Sequence, residues 1–354
     1  MEATPAHGGA ASARLDRSLV AALTGNFFLR LGNAATGIML TLFLAHIHRT
    51  EFAVSPIIVG TFSTAFYATE LLLAPYAGAQ SDRRGRRWFL LCGPLLGLIA
   101  VELTALAPSL ATTPLRDLFT PVVLIMAPLL WILLSTRILE GLSSAASIPA
   151  ILSYLSARTD HDRAFRGWVM GLFEASTAMA IVGGSVAGTL MWGAYRHWAF
   201  ALLGVPYIIS TVLFLQVREN PRELAPARDL HQSALNLIRQ PAIWKFLPAW
   251  LAVNAVVGLW NTHATFQLSL SNPPPGQFLT GVFATNTVGL SITLGIYAVL
   301  FSVGSLAWGR AFGRFSEPTI MKIALVGLFV GCGAAWLVNH SGDNHLLRVV
   351  CLSV

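Results

Sequence analysis

Charged and polar side chains recur at helical spacing inside long apolar segments of the sequence. In one segment Asn26, Arg30 and Asn33 are separated by four and then three residues, which places them on one face of a helix. In the next segment Tyr67 and Glu70 share a face for the same reason. Ionisable groups in an apolar environment are costly unless they pair or line a polar path. The pattern therefore predicts a pathway for a small solute or a proton between helices.

Two further segments add ionisable groups. Arg137 and Glu140 are three residues apart, and Glu174 lies in the following segment. The whole set holds three carboxylates and two guanidiniums, so one carboxyl is left to carry a proton if each arginine neutralises one acid. The alternative is a structural salt-bridge network that closes one mouth of the pathway. In a later segment Asn254 and Asn261 either contact the substrate from the opposite side or form hydrogen bonds between helices.

The composition identifies the environment of these segments. Of the 354 residues, 55% are hydrophobic and 11% are charged, and the mean hydropathy is +0.65. A soluble domain is roughly one quarter charged, so the composition excludes a single water-soluble core, a disordered chain and a nucleic-acid-binding domain. Nine apolar runs reach the length of ~20 residues that a bilayer requires. They are residues 19–46, 55–77, 88–107, 120–147, 166–192, 198–217, 244–268, 288–309 and 319–338.

A tenth apolar run begins at Leu346 and reaches only to Val354. The sequence therefore predicts an all-α polytopic membrane protein with nine complete transmembrane helices and a partial tenth. It contains no phosphate-binding glycine-rich loop, no HExxH pattern and no CxxC pair. We accordingly expect neither an enzyme nor a bound cofactor or metal.

The distribution of basic residues predicts the orientation in the membrane. With the N-terminus inside, 17 of the 23 Lys and Arg residues fall in inner segments and only 4 in outer ones. Such a bias marks the cytoplasmic side. The net charge of +7 then indicates contact with anionic lipid rather than with nucleic acid. We expect a multi-pass protein of the inner cell membrane with a cytoplasmic N-terminus.

The longest inner loop, which is rich in proline and charge, divides the chain into two halves. We expect a cytoplasmic tail at residues 1–18 and a six-helix bundle at 19–217. The central cytoplasmic loop would span 218–243. The remainder, 244–354, would form an incomplete second bundle with helices seven to nine and the start of a tenth.

The loop between the second and third apolar runs carries a specific pattern. It reads Gly78-Ala-Gln-Ser-Asp82-Arg83-Arg84-Gly85-Arg86-Arg87. Gly85 permits a tight reversal between two helices, and Asp82 lies where a carboxylate can cap a helix or pair. The pattern resembles G-x-x-x-D-R-x-G-R-R, the loop 2–3 signature of the major facilitator superfamily of secondary transporters.

Other segments extend the resemblance along the chain. Arg137 and Gly141 resemble the R-x-x-x-G element of helix four, 162–167 resembles loop 4–5, and 309–314 resembles a degenerate second copy of the first pattern. The antiporter signature of helix five is incomplete, because Met179-Ala180 stands where the family has Gly-Pro. The family normally has twelve spans, so we expect a C-terminally truncated member.

The resemblance implies two bundles of inverted three-helix repeats, with a substrate site between them that opens alternately to each side. The implied function is secondary transport of a small solute, including proton-coupled efflux. A non-transporting sensor or scaffold and an inactive fragment are the alternatives. The implied partners are a small-molecule substrate, protons and membrane lipids, with a monomer for a full-length member and an oligomer open to the truncated chain. The residues implied to gate the conformational change are Gly78, Asp82, Arg83, Gly85 and Arg86.

Overall fold

The computed structural model describes most of the first 219 residues and parts of the rest. The described ranges are 15–51, 54–112, 128–160, 162–219, 265–270, 279–283, 286–293 and 316–341, with isolated positions between 241 and 303. Every regular element in these ranges is helical. The helices are α1 (Arg17–Thr50), α2 (Pro56–Arg84), α3 (Arg86–Thr112), α4 (Pro128–Arg158), α5 (Arg163–Tyr195), α6 (Ala199–Leu202), α7 (Gly204–Leu215), α8 (Thr265–Leu268) and α9 (Glu317–Asn339).

Local signals explain where the first helices begin and end. Asp16 caps α1 by accepting a hydrogen bond from the Leu19 backbone N–H at 2.7 Å. Ser55 caps α2, and its hydroxyl accepts from the Ile58 N–H at 3.3 Å. Gly85 ends α2 at a φ of 104°, a conformation that favours glycine, and α3 begins at the next residue. The predicted tight reversal is confirmed.

The described helices agree with the membrane class predicted from composition. Six helical stretches of the described residues are long and apolar enough to cross a membrane. One of them runs from Phe165 to Leu215 and is interrupted by a 3₁₀ turn at Arg196–Trp198. Large apolar side chains such as Leu72 and Trp88 are about three-quarters exposed, as expected of lipid-facing surfaces. Predicted spans seven and eight lie mostly outside the described residues, and α9 coincides with predicted span nine.

The two parts of the long stretch cross in opposite directions, as their contacts with α1 demonstrate. Towards α5, Gly184 packs on the backbone of Leu31 and Gly188 packs four residues later on that of Ala35, so α1 and α5 are parallel. Towards α7, Gly25 meets Phe214 whereas Gly32 meets Tyr207, so α1 and α7 are antiparallel. The chain therefore reverses at Arg196–Trp198, which agrees with the separate fifth and sixth spans expected from the sequence.

The close contact of α1 and α5 depends on two small residues. A Cβ atom at Gly184 would lie 2.4 Å from the Leu31 carbonyl oxygen, and one at Gly188 would lie 2.8 Å from that of Ala35. Both neighbours are backbone atoms and cannot move aside as a flexible side chain would. The Gly-xxx-Gly spacing thus lets two backbones approach within a bilayer.

A second pair of parallel helices faces the first. Gly141 of α4 packs on the backbone of Phe66 in α2, and Gly78 of α2 packs on Pro149 further along α4. The start of α1 and the end of α4 meet, because Ser18 and Tyr154 share a hydrogen bond of 2.6 Å. The long helices thus alternate in direction, and α1, α2, α4 and α5 surround a common interior space.

Candidate functional site

The interior space is a cavity with one polar and one apolar part. Its volume is about 370 Å³, which lies in the range of small-molecule sites. Four long helices of the described structure contribute its walls. The polar lining consists of Arg30, Asn33, Thr41, Ser63, Tyr67, Glu70, Arg137, Thr177 and Ser185. The apolar lining includes Ile38, Leu40, Leu44, Val59, Phe62, Phe66 and Ile181.

Several donors at the polar part of the cavity have no hydrogen-bond partner among the described residues. These buried atoms are Nε of Arg30, Nδ2 of Asn33 and Nε of Arg137. Buried polar groups are normally satisfied, because each unsatisfied one costs about 1–3 kcal/mol. A ligand that carries acceptor oxygens, or water within the cavity, would satisfy these donors.

Arg137 and Glu140 form a buried ion pair on one wall. Nη2 of Arg137 contacts Oε2 of Glu140 along the same helix turn, and the side chains are 7% and 0% exposed. The Arg137 guanidinium also lies over the Phe66 ring, with 5.8 Å from its Cζ to the ring centroid. Only Arg137 of the pair reaches the cavity lining, so Glu140 neutralises it from behind.

Arg30 has a different arrangement. It lies close enough to Glu70, Glu174 and Tyr67 for their charges to interact, yet it makes no ion pair within 4.0 Å in the described structure. Glu70 lines the cavity, whereas Glu174 is an exposed residue of α5 outside the lining. Arg30 therefore faces two carboxylates from two helices and is bound to neither.

The two asparagines of α1 have different positions. Asn33 lines the cavity, and its Oδ1 accepts a hydrogen bond of 2.8 Å from the Tyr207 hydroxyl of α7. Asn26 is fully buried two turns earlier and donates to Thr177 of α5 at 3.0 Å. Its contact therefore joins two helices at the edge of the cavity. Asn254 and Asn261 lie outside the described residues.

The residues predicted to gate the conformational change lie around the turn between α2 and α3. This turn and its contacts, here named the α2–α3 junction, join three helices at the end of the bundle where α1 begins. We define it as Asp82, Gly85, Arg86, Ser153 and Glu219. The Ser153 hydroxyl of α4 donates to Oδ1 of Asp82. Nε of Arg86 donates to the same hydroxyl at 2.9 Å and lies 3.4 Å from the Asp82 carboxylate.

Glu219 completes the α2–α3 junction from the segment that follows α7. Its carboxylate accepts from the backbone N–H groups of Arg86 at 2.9 Å and Arg87 at 3.3 Å. These are the first two residues of α3, so a negative charge meets the positive end of the helix dipole. Of the other two predicted gating residues, Gly78 packs on Pro149 and Arg83 lies in the last turn of α2.

Some of these residues escaped the sequence-based prediction. Phe62 and Phe66 lie on the same face of α2 as Tyr67 and Glu70, so helical periodicity alone could have added them to the lining. Ser153 and Glu219 carry no such signal, since each meets the α2–α3 junction only through tertiary packing.

Comparison with protein-family models tests the resemblance that the pattern of the loop between α2 and α3 suggested. The model of the Major Facilitator Superfamily matches residues 22–354. This chain belongs to the major facilitator superfamily. The helical architecture and the inter-helix cavity described above agree with that assignment.

Two curated relatives are similar to part of the chain. The class C tetracycline resistance protein of Escherichia coli is 31% identical over 169 residues, which cover 46% of this chain and 37% of that protein. The arabinose-proton symporter of Bacillus subtilis (strain 168) is 24% identical over 197 residues, covering 53% of this chain and 38% of the symporter. The matched segment thus spans less than half of either relative.

Proposed function

We propose that this chain carries a small solute across the cytoplasmic membrane by alternating access, driven by a gradient rather than by ATP. The observation that carries the proposal is the cavity of about 370 Å³, whose lining combines unpartnered donors with aromatic and aliphatic side chains. Membership of a transporter family supports it. Substrates with acceptor oxygens on an apolar frame suit both parts of the lining.

The proposed architecture follows the sequence-based division. A bundle at 19–217 supplies the described half of the site, the loop at 218–243 links it to 244–354, and the N-terminus lies in the cytoplasm. In the second half, Asn254 and Asn261 would face the same substrate. The α2–α3 junction would hold the cytoplasmic ends together in the outward-open state.

Coupling to protons would use Arg30 and its two acidic neighbours. Arg30 interacts with Glu70 and Glu174 without an ion pair to either. Protonation of Glu70 would therefore free Arg30 for a substrate acceptor, and its deprotonation would draw Arg30 back. Glu140 would serve mainly to neutralise Arg137. One relative is a proton symporter and the other a tetracycline resistance protein, so symport and export of amphiphilic compounds are both open to this fold.

Alternating access is testable without knowing the substrate. In a variant with Cys92, Cys332 and Cys351 changed to serine, Ser63→Cys places one thiol in the cavity lining. Alternating access requires that a membrane-impermeant maleimide labels this thiol from either face of sealed vesicles. Labelling from one face only would overturn the proposal. Leu72→Cys in the same background is the control for a lipid-facing position of the same helix.

Proton coupling is measured separately in proteoliposomes with an internal pH indicator. The probes are tetracycline and L-arabinose, each added under an imposed proton gradient. Coupled flux should be lost in Glu70→Gln and retained in Glu102→Gln, whose carboxylate lies beside Gly204 rather than in the cavity. Flux that keeps its gradient dependence in Glu70→Gln would remove Glu70 from the coupling role.

A further inference from the structure

A group of basic residues lies at the end of the bundle opposite the α2–α3 junction. The last turn of α1 carries His48 and Arg49, with His46 just before it, and the turn after α5 carries Arg196 and His197. Because α1 and α5 are parallel, both groups emerge at the same end. Only four Lys or Arg residues fall on that side of the predicted topology, and the fold brings two of them together.

The two arginines interact with each other rather than with an acid. Arg49 and Arg196 lie close enough for their like charges to interact. The carboxylate of Glu51, which follows α1, interacts with His46. In the described structure neither arginine has a carboxylate oxygen within 4.0 Å. Two adjacent cations without an acid raise the free energy of the folded chain unless an anion joins them.

Three arginines at the opposite end of the bundle provide a contrast. Arg158 pairs with Asp16, Arg86 lies 3.4 Å from Asp82, and Arg166 is 3.1 Å from Asp160. Nearby acids of the chain itself serve these guanidiniums. Arg49 and Arg196 have no such acid within 4.0 Å among the described residues.

The backbone at Arg196 supports a specific role. Its φ is +54°, and it is the one non-glycine residue with positive φ in the described ranges. This conformation is strained for any residue other than glycine, and residues with such strain are often found at functional sites.

The side chain of Arg49 is held at one point only among the described residues. Its Nε donates to the Ala45 carbonyl oxygen at 3.1 Å, and its two Nη groups are left for a ligand.

The neighbouring aromatic residues set the depth of the pair. Tyr195 is 57% exposed and Trp198 is 54% exposed, on either side of Arg196 and His197. Exposed Tyr and Trp residues at span ends lie at the level of the lipid headgroups. The anions at that level are phosphates, and guanidinium groups bind phosphate through paired charge-assisted hydrogen bonds.

We propose that Arg49 and Arg196 together bind a phosphate group at the membrane interface. The flanking aromatic side chains favour the phosphodiester of a phospholipid headgroup as its source. The site is separate from the cavity and does not depend on the transport proposal. A bound headgroup would join the end of α1 to the α5–α6 turn.

Native mass spectrometry of the purified full chain in detergent tests the site. The probes are phosphatidylglycerol and a diacylglycerol with the same chains but no phosphate. Arg49→Gln should weaken the first phosphatidylglycerol adduct about tenfold, the order expected for one lost charge-assisted hydrogen bond. Arg196→Gly should have the same effect while relieving the backbone, because glycine accepts positive φ. Arg84→Gln, an exposed arginine at the other end, is the matched control.

The outcomes separate the sources of phosphate. If millimolar inorganic phosphate displaces the lipid adduct, free phosphate is the natural occupant; if it does not, the lipid headgroup is. The proposal is overturned if the variant that combines Arg49→Gln with Arg196→Gly keeps the adduct, if diacylglycerol binds equally well, or if Arg84→Gln loses the adduct to the same extent.

Discussion

The cavity and the α2–α3 junction use the same residue types in opposite ways. In the α2–α3 junction, Asp82 and Arg86 meet through Ser153, and both oxygens of Glu219 accept backbone N–H groups. In the cavity, Arg30 has no ion-pair partner in the described structure and its buried Nε lacks an acceptor. Both regions lie in the same bundle and share α2 and α4.

The difference separates polar groups that stabilise the fold from those kept for a ligand. Hydrogen bonds and ion pairs between helices fix one arrangement of those helices. Unsatisfied donors make the empty cavity less stable. They therefore favour the binding of a ligand that supplies the missing acceptors. Arg137 combines both properties, because its ion pair faces Glu140 while its Nε remains unpartnered.

The largest loss of stability is expected when the Arg137–Glu140 ion pair is broken. Arg137→Gln leaves the fully buried Glu140 carboxylate without its cation, which costs about 3–5 kcal/mol. We expect a large fall in the thermal unfolding midpoint of the detergent-solubilised protein. The double variant with Glu140→Gln should recover most of the loss, because neither member of the pair then carries a buried charge. A single variant as stable as the parent chain would show that Glu140 does not need the arginine.

The next largest loss of stability is expected at the close contact between α1 and α5. Gly184→Ala places a Cβ 2.4 Å from the Leu31 carbonyl oxygen, so α1 and α5 must separate at a cost of about 1–3 kcal/mol. Gly183→Ala is the matched control, because its Cβ meets nothing nearer than Leu31 Cδ1 at 3.8 Å. Thermal unfolding followed by size-exclusion chromatography compares them. Equal midpoints would mean that the two helices are not tightly packed.

A smaller effect is expected at the α2–α3 junction. Ser153→Ala removes one hydroxyl that joins Asp82 and Arg86, with a loss of about 1 kcal/mol. Ser135→Ala on the same helix is the control, since Ser135 is exposed and, among the described residues, bonds only to the backbone of Trp131. Unfolding midpoints should fall for the first variant alone. Labelling of a cavity thiol from the cytoplasmic face should increase, because the α2–α3 junction then holds the cytoplasmic ends together less firmly.

The sequence predicted the elements better than the contacts. Helical periodicity placed Arg30, Asn33, Tyr67 and Glu70 together, because they need only a local repeat and a shared apolar background. Glu174 was predicted to join them; it is exposed on α5 and outside the cavity lining, but it lies close enough to Arg30 for their charges to interact. The position of a residue along a span does not predict which way its side chain faces when apolar residues lie on every side of the helix.

Non-local partners were beyond the same reasoning. Tyr207 reaches Asn33 from 174 residues away, and Glu219 reaches Arg86 from 133 residues away. Neither pairing follows a repeat, and each depends on which helices become neighbours. The loop pattern revealed that Asp82 and Arg86 matter, but only the packing of α4 and α7 identified their partners.

The smallest effect on stability, and the largest contrast with the α2–α3 junction, is expected at Arg30. Its buried Nε is already unsatisfied, so Arg30→Gln removes little that holds the empty protein together. The unfolding midpoint should stay the same or rise, as often happens when a residue kept for function is replaced. Transport of a probe that the parent chain carries should nevertheless be lost. Ser153→Ala, which lies outside the cavity lining, should show the reverse pattern, with reduced stability and retained binding of that probe.

A fall in stability for Arg30→Gln as large as that for Arg137→Gln would contradict this contrast. It would mean that Glu70 or Glu174 depends on Arg30 as strictly as Glu140 depends on Arg137. The three carboxylates would then form one structural network, and the cavity would lose its distinction from the α2–α3 junction. Measuring both variants in the same detergent therefore separates a binding site from a salt-bridge network.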